Sequence, residues 1–312
     1  MTDVHAISPG ISLEVASHTD RGLERDDNQD TAMVALLPGA VVAAVCDGMG
    51  GAAGGQLASS RAASAIDVHV RACAPVDEQA LARALEGAID AATKHVFAIA
   101  AADKRLSGMG TTATVAGIGG DRLVVAQIGD SRAYIFRKGV LTQVTRDQTL
   151  AQLMLERGQL APEEMATFPH ANVILQAVGT AEHVEVDLRS AQLCQGDLLL
   201  VCSDGLHGPV GNPRIAETLA EASTPAGACE ALVGQALAVG GPDNVTCIVA
   251  RITGDALTPP TSGEVDVTRC VLAQVPEVTP EPSPTAPQVL EKAPLSNLWP
   301  LRWGPWASKK TP

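Results

Sequence analysis

The chain has 312 residues, 46% of them hydrophobic and 18% charged, which is too much apolar surface for a disordered chain. Its 22 basic and 35 acidic residues give a formal net charge of −13, which argues against non-specific binding to nucleic-acid phosphates or anionic membranes. Aromatic residues make up only 2% of the chain, so Ala, Val and Leu must build the core.

The seven cysteines form no Cys-x-x-Cys pair, and Cys46, Cys202 and Cys247 lie inside apolar runs. Buried thiols in a reducing compartment are the expected interpretation. The amino-terminal residues lack the basic and apolar regions of a signal peptide, and no apolar run reaches the roughly 18 residues of a membrane helix. The sequence therefore predicts a soluble, cytoplasmic protein with no membrane span, and we expect a monomer.

Along the chain, short apolar runs predict strands and Ala-rich stretches predict helices. Strands are expected at residues 11–17, 41–46, 111–118, 122–128, 132–136, 198–202 and 245–252, and helices at 56–74 and 77–102. Asp77 is expected to cap the second helix, and Thr224-Pro225 to begin a third. Lys138-Gly139 predicts a hairpin turn. Adjacent strands with helices grouped elsewhere indicate antiparallel sheets covered by helices, an α+β domain.

The composition changes after Thr253, and more than half of the 20 prolines lie beyond it. Because proline lacks a backbone N–H and fixes φ, we predict a folded domain over residues 1–253 and a flexible Pro-rich tail over 254–312. Trp299, Trp303 and Trp306 all lie near the end of that tail. They are interpreted either as part of a disordered end or as a docking motif for a partner or a membrane interface.

Four aspartates share one context, because each lies at the tip of an apolar strand beside glycine, proline or asparagine. They are Asp47, Asp130, Asp204 and Asp243. A single aspartate there is usually a turn residue, but four such tips could meet at one sheet edge, where unpaired carboxylates would require divalent cations. Oxygen ligands without nearby His or Cys favour Mg²⁺ or Mn²⁺. Arg25 would then grip phosphate oxygens, although its spacing alone favours a solvated surface residue.

A competing interpretation comes from the glycine-rich stretch that follows Asp47. The segment Gly48-Met49-Gly50-Gly51-Ala52-Ala53 fits the G-x-G-x-x-G/A pattern of a dinucleotide-binding turn, with Asp67 about 20 residues further on. Against it, Asp47 would lie beside the pyrophosphate and repel it. The following segments also lack the regular strand–helix alternation of a parallel sheet, so a dinucleotide-binding enzyme is a minor alternative.

Taken together, these residues resemble the metal-dependent PP2C-type (PPM) protein serine/threonine phosphatases, most closely the bacterial branch. The matching motifs run in order over nearly all of residues 11–253. They are Asp20…Arg25-x-x-Asn28-Gln29-Asp30, Asp47-Gly48-Met49-Gly50-Gly51, Gly110-Thr111-Thr112, Gly129-Asp130-Ser131-Arg132, Ser203-Asp204-Gly205-Leu206 and Gly241-Pro242-Asp243-Asn244-Val245-Thr246. The resemblance implies an αββα sandwich of two antiparallel β-sheets flanked by helices, followed by a disordered Pro-rich tail.

The resemblance also implies a metal site with two Mn²⁺ or Mg²⁺ ions, or three. Asp47 would bridge two ions, with the Gly48 carbonyl on one of them and Asp204 and Asp243 on the other. Asp130 would join Asp204 at a third, weaker ion, as in bacterial relatives.

The implied reaction is hydrolysis of phosphoserine and phosphothreonine by attack of a metal-bridging water. Arg25 would bind the phosphate, and Asp30 would orient metal-bound water. The substrates would be phosphorylated proteins, the products of a serine/threonine kinase. The main alternative is a catalytically silent relative that binds phosphoproteins, which the loss of a metal aspartate would favour.

Some positions depart from the family pattern. Met49 stands where many eukaryotic members have a histidine that can donate a proton to the leaving alcohol. Asp147-Gln148-Thr149 stands where Asp-His-Ser is frequent, and Gln176 stands near a common arginine. The last two changes fall around the flap, residues 156–189, and so bear on substrate preference. His207 is expected to be a surface loop residue.

Overall fold

Two antiparallel β-sheets form the centre of the protein in the computed structural model, which describes residues 4–73, Pro75 and residues 77–272. The strands are β1 (Val4–Ser8), β2 (Ile11–Asp20), β3 (Asp30–Leu37), β4 (Ala40–Met49), β5 (Gly110–Thr111), β6 (Ala113–Gly119), β7 (Arg122–Ile128), β8 (Arg132–Arg137), β9 (Val140–Gln143), β10 (Asp187–Gln192), β11 (Leu198–Cys202), β12 (Val245–Thr253) and β13 (Val267–Arg269). The α-helices are α1 (Ala52–Cys73), α2 (Glu78–Ala102), α3 (Leu150–Glu156), α4 (Asp204–Val210), α5 (Asn212–Glu221) and α6 (Pro225–Ala238).

The first sheet has the strand order β1-β2-β12-β11-β8-β9, and the second has β13-β10-β7-β6-β4-β3, with β5 paired to β4. Strand β4 shows how the sheets stack. Val41 and Val45 face the core between the two sheets, whereas Val42 and Cys46 belong to the core beneath α1 and α2. Successive side chains on a strand point to opposite faces, so β4 is buried on both of them.

Helices cover the outer face of each sheet. Ile66 of α1 and Leu85 of α2 pack with residues of the second sheet. Leu219 of α5 and Leu232 of α6 pack with residues of the first sheet. The resulting helix–sheet–sheet–helix order confirms the predicted fold class, and each apolar sheet face is buried against another layer.

The helix starts that the sequence predicts are present. The Asp77 carboxylate accepts a hydrogen bond of 2.7 Å from the Ala80 N–H and caps α2. Thr224 caps α6 in the same manner, with Pro225 at its first position. The β8–β9 hairpin turns at Lys138-Gly139, where both residues have positive φ, as a tight two-residue turn requires.

Cys46, Cys202 and Cys247 are buried free thiols, which confirms the interpretation of these residues as small core side chains. No disulfide is formed by the cysteines of the described part of the chain. None of the described helices is long and apolar enough to cross a bilayer.

Apart from β9, which the predicted hairpin turn implies, four strands lie outside the predicted ranges: β1, β3, β10 and β13. Strand β10 carries Leu188 and Ser190 on its buried face, so a small hydroxyl replaces an apolar residue in the alternating pattern. Strand β3 begins directly after the charged loop that contains Arg25, which hides its start. Alternation of hydrophobicity is therefore weak in strands whose inward residues are small or polar.

The expected domain boundary at Thr253 is too early. Leu257 is buried, Val265 and Val267 pack on the core between the sheets, and β13 pairs with β10. The compact unit extends to Ala273. The change in composition after Thr253 therefore reflects the loops on either side of the short strand β13, and the packed domain continues beyond it. The tryptophans of the predicted tail lie outside the described residues.

Candidate active site

The four aspartates predicted at strand tips line one cleft of about 500 Å³. Asp47 lies near the end of β4, and Asp130 lies in the turn between β7 and β8. Asp204 begins α4 directly after β11, and Asp243 precedes β12. The antiparallel strands thus carry all four carboxylates to the same edge of the sandwich, as the sequence predicted.

Asp30 lies beneath this cleft, because its position on β3 is paired across the sheet with Asp47 on β4. The Asp30 side chain is buried, and the Ser203 hydroxyl donates a hydrogen bond of 2.7 Å to its Oδ2. The same hydroxyl accepts a hydrogen bond from the Thr246 N–H. Ser203 therefore orients Asp30 and joins it to the start of β12.

The loop that carries Arg25 is held against the cleft by Asn244. The Asn244 side chain donates to the carbonyl oxygens of Arg21 and Asp27, and its Oδ1 accepts from the Gln29 N–H, each at 2.8 Å. Sequence reasoning gave no role to Ser203 or Asn244. The available signal was their place inside the motifs beside Asp204 and Asp243.

Two glycines allow the backbone to approach closely at this site. A Cβ on Gly48 would lie 2.1 Å from the Gly55 carbonyl oxygen, at the start of α1. A Cβ on Gly205 would lie 2.0 Å from the Asn244 carbonyl oxygen. Any side chain at either position would push the helix or loop away from the carboxylates, which explains the Asp-Gly pairs.

Burial and mutual repulsion raise the pKa values of four carboxyls, those of Asp30, Asp47, Asp130 and Asp204. Desolvation is the largest cause at each one; it raises the pKa of Asp30 to about 6 and that of Asp130 to about 7. The pKa of Asp47 lies well above its usual range, and that of Asp204 is also raised. Neighbouring aspartates add to the shift at all four positions. Ionised carboxylates here therefore lack sufficient compensating charge.

Two buried oxygens of this group have no hydrogen-bond partner within the described structure: Oδ1 of Asp30 and Oδ1 of Asp204. Buried carboxylate oxygens are normally hydrogen-bonded or bound to a cation. A set of oxygen donors with excess negative charge suits Mg²⁺ or Mn²⁺ rather than a softer metal. The chemistry of the donors therefore fits divalent cations.

The side chains are not yet arranged around a cation. Across residues 4–73, 75 and 77–272, no three Asp, Glu, His or Cys side chains are placed as a ligand set for one ion. Part of the reason is Arg25, whose Nη2 lies 2.7 Å from Oδ2 of Asp243. The Arg25 side chain is 53% exposed, so it can leave this pair with little loss of packing. Cation binding would require Asp243 to turn away from Arg25.

The expectation for His207 is wrong. The side chain is only 9% exposed, and its Nε2 lies 3.1 Å from the Asp130 carbonyl oxygen. Burial lowers the pKa of His207 to about 4, so the neutral ring donates a hydrogen bond to that carbonyl. The short helix α4 turns the ring inward, which the sequence alone did not indicate.

The dinucleotide-binding alternative is also wrong. Strand β4 pairs antiparallel with both β3 and β6, whereas the dinucleotide-binding turn needs parallel strands in a β–α–β unit. Gly50 and Gly51 have positive φ and carry the chain from β4 into α1 beside the carboxylates.

Comparisons with known proteins agree with this geometry. A model of the family described as Protein phosphatase 2C matches residues 16–238. The chain is 38% identical over 242 residues to the serine/threonine protein phosphatase PstP of Mycobacterium tuberculosis, covering 78% of this chain and 45% of PstP. It is 32% identical over 235 residues to the serine/threonine phosphatase stp of Listeria monocytogenes, covering 75% of this chain and 93% of stp.

A solved structure is similar as well. The crystal structure of the PstP catalytic domain in complex with two manganese ions is matched with a TM-score of 0.69 and 36% identity. That match covers 78% of this chain and 99% of the solved chain. The chain thus spans about half the length of full PstP and nearly all of its catalytic domain.

Proposed function

This chain belongs to the protein phosphatase 2C family, and from that premise we propose that it is a Mg²⁺- or Mn²⁺-dependent phosphatase acting on phosphoserine and phosphothreonine in proteins. The observation that carries the proposal is the cleft in which partly buried, repelling carboxylates meet the exposed side chain of Arg25. Such a site binds divalent cations and a phosphoryl group more readily than any neutral ligand.

Asp47, Gly48, Asp204 and Asp243 would hold two cations through carboxylate oxygens and the Gly48 carbonyl. Asp130 and Asp204 would hold a third, weaker one. When bound, the cations would supply an activated water nucleophile and neutralise charge on the phosphoryl oxygens. The raised pKa values of Asp47, Asp130 and Asp204 reflect the free-energy cost of bringing these carboxylates together without a bound cation.

Arg25 would bind the phosphate after leaving Asp243, since its planar guanidinium can donate two parallel hydrogen bonds to phosphate oxygens. Asp30 is fixed through Oδ2 by Ser203, so its unpartnered Oδ1 would orient a water by accepting a hydrogen bond from it. Met49 carries no transferable proton, and the leaving alkoxide would take its proton from solvent.

The substrates would be phosphoproteins produced by a serine/threonine kinase, in the cytoplasm, with the protein acting as a monomer. We also retain the proposal that a tail beyond the folded domain docks a partner. The rival function is phosphoprotein binding without hydrolysis. Presence of all four metal aspartates in one cleft favours the enzyme.

The test is hydrolysis of para-nitrophenyl phosphate and of matched phosphothreonine and phosphotyrosine peptides, with Mn²⁺, with Mg²⁺ and with EDTA. Metal-dependent release from the phosphothreonine peptide that EDTA abolishes is expected, with little release from phosphotyrosine. An Asp204→Asn protein purified in parallel controls for contaminating phosphatases. Folded protein that binds the phosphothreonine peptide but releases no phosphate with either metal would favour the binding relative instead.

A further inference from the structure

The turn between β7 and β8, which carries Asp130, is held by side chains from outside itself. Gln127 Nε2 donates to the carbonyl oxygens of Gly129 (3.2 Å) and Ser131 (3.0 Å). The His207 ring holds the Asp130 carbonyl, as described above. Gly129 has a φ of +98°, and a Cβ there would lie 2.7 Å from Cγ2 of Thr112, so the turn is tightly enclosed. The direction of the Asp130 side chain therefore depends on this set of side-chain contacts.

Gln148 also contacts the same turn. Its Oε1 accepts a hydrogen bond of 3.0 Å from the Gly129 N–H, and its own N–H donates to the Gly129 carbonyl at 2.9 Å. Its Nε2 donates to the carbonyl of Gln127 at 3.3 Å. A substitution would remove the two side-chain bonds, to the Gly129 N–H and to the Gln127 carbonyl, but not the backbone bond, which does not need the side chain.

Gln148 is also joined to the flap, the segment predicted over residues 156–189. Its carbonyl accepts a hydrogen bond of 2.8 Å from the Leu175 N–H, and the next residue, Thr149, forms a β-bridge with Ile174. Ile174 and Asn172, which lies two residues before it, line the carboxylate cleft. One residue thus contacts both the Asp130 turn and the part of the flap that borders the cleft.

We propose that Gln148 is a positioning residue that couples the Asp130 turn to the flap, so that cation affinity at Asp130 depends on its side-chain amide. This rests on the proposed function, in which Asp130 holds the weakest cation. Gln148 touches neither substrate nor cation; it acts by fixing Gly129. Partners that orient a metal ligand typically change metal affinity 10- to 100-fold when they are removed.

The experiment is a Mn²⁺ titration of the full chain by calorimetry, with Asp130→Asn marking the weakest site. Gln148→Met keeps the length of the side chain but removes its polar atoms, and is expected to weaken that site about 10-fold while leaving the tighter sites unchanged. Gln148→His supplies a ring nitrogen at a reach similar to that of the lost amide oxygen. Its Mn²⁺ affinity at the weakest site is expected to lie within about 3-fold of that of the unsubstituted protein. Gln176→Met, which cuts flap bonds to Glu185 without touching the turn, should change nothing.

The double variant Asp130→Asn with Gln148→Met decides how Gln148 acts. If the proposal holds, Gln148→Met has no further effect on Mn²⁺ binding once Asp130 has lost its charge. An equal loss of affinity in that background would mean a general effect on the fold and would overturn the proposal. Gln148→Asn, which is one methylene too short to reach Gly129, carries the same expectation and replaces Gln148→Met if that variant does not fold.

Hydrogen exchange gives a second readout, of the coupling to the flap. Saturating Mn²⁺ should slow exchange of the Leu175 amide in the unsubstituted protein and have less effect in Gln148→Met. Equal Mn²⁺ protection in both proteins, or an unchanged weakest site, overturns the inference and leaves the proposed function standing. If the unsubstituted protein binds no Mn²⁺ and hydrolyses nothing, the proposed function fails and the inference fails with it.

Discussion

Strand β11 has an aspartate at each end, and the surroundings of the two are opposite. Asp197, directly before the strand, is 1% exposed and accepts hydrogen bonds from Arg137 on both oxygens, at 2.8 and 2.6 Å. The Cys194 N–H donates to it as well, and Arg137 also donates to the Gln192 carbonyl. The charges of Asp197 and Arg137 are thus paired with each other and further hydrogen-bonded, as the charges of a buried structural ion pair must be.

Asp204, just beyond the other end of β11, has an oxygen with no hydrogen-bond partner in the described structure and two carboxylates, Asp47 and Asp243, beside it. Burial and the Asp243 charge raise its pKa. The same strand therefore carries one carboxylate that the protein satisfies by itself and one that it leaves unsatisfied. The difference separates an ion pair that contributes to stability from a carboxylate that is available to bind a cation.

The largest expected effect comes from Asp204→Asn, which removes a charge from the group of carboxylates that we propose binds the cations. Hydrolysis should fall by about 1,000-fold or more, since metal-assisted charge stabilisation is worth several kcal/mol and each 1.36 kcal/mol is tenfold. The midpoint of urea unfolding in EDTA should not fall, because the lost charge was repelled by its neighbours. Activity close to that of the unsubstituted protein would remove Asp204 from the mechanism.

Asp197→Asn should have the reverse pattern. It leaves the buried Arg137 charge without its counter-ion, which should lower the free energy of unfolding by about 3 kcal/mol. Per folded molecule, hydrolysis of para-nitrophenyl phosphate should be unchanged, because Asp197 lies at the far end of β11 from the cleft. Urea unfolding and turnover at 15 °C, measured on the same sample, separate the two quantities. Unchanged stability would show that the pair contributes no more than an exposed one.

The sequence predicts one end of this strand much better than the other. Asp204 is found because glycine and an apolar run surround it and because its motif resembles a known family. Asp197 is missed, since its partner Arg137 lies 60 positions earlier in the chain and no local pattern joins them. Arg137 also donates to the carbonyl of Glu264, in the segment that composition assigned to the tail. Long-range pairing of this kind depends on the packed sheet and leaves no periodic signal.

Around the cleft, sequence reasoning found the charged residues. It missed the positioning roles of the neutral residues that hydrogen-bond to them or to the loops that carry them. Ser203, Asn244 and Gln148 act through side-chain hydrogen bonds to backbone or carboxylate atoms. His207 was placed on the surface because its inward direction comes from the packing of α4. Such residues show no distinctive composition, so their roles become visible only when distances are known.

Arg25→Ala tests the exposed arginine that lies against Asp243 at the unsatisfied end. Loss of hydrogen bonds to a charged phosphate should cost about 1.5–3 kcal/mol, equivalent to roughly 10- to 150-fold in kcat/KM for a phosphothreonine peptide. Arg21→Ala is the matched control, because Arg21 is close in sequence and its side chain bonds only the Asp26 carbonyl. If both variants had equal activity, Arg25 would be an ordinary surface residue whose pair with Asp243 has no catalytic consequence.

The stability of the unsatisfied end is tested with Asp130→Asn in EDTA. The pKa of Asp130 is about 7 in the folded protein against 3.8 in an unfolded chain, chiefly because of burial. Below about pH 3 the carboxyl is protonated in both states and costs nothing. As the pH rises towards 7, the unfolded chain ionises first, so the folded protein loses stability that the asparagine variant keeps.

Asp130→Asn should therefore be more stable than the unsubstituted protein by about 4 kcal/mol at pH 8, and by less than about 1 kcal/mol at pH 4. Saturating Mn²⁺ should reverse the order at pH 8, because the carboxylate then gains the binding free energy of the cation and asparagine cannot. Unfolding midpoints at pH 4, 6 and 8, with and without Mn²⁺, test both statements. A stability difference that neither pH nor Mn²⁺ changes would mean that Asp130 resembles Asp197, a carboxylate the protein satisfies by itself.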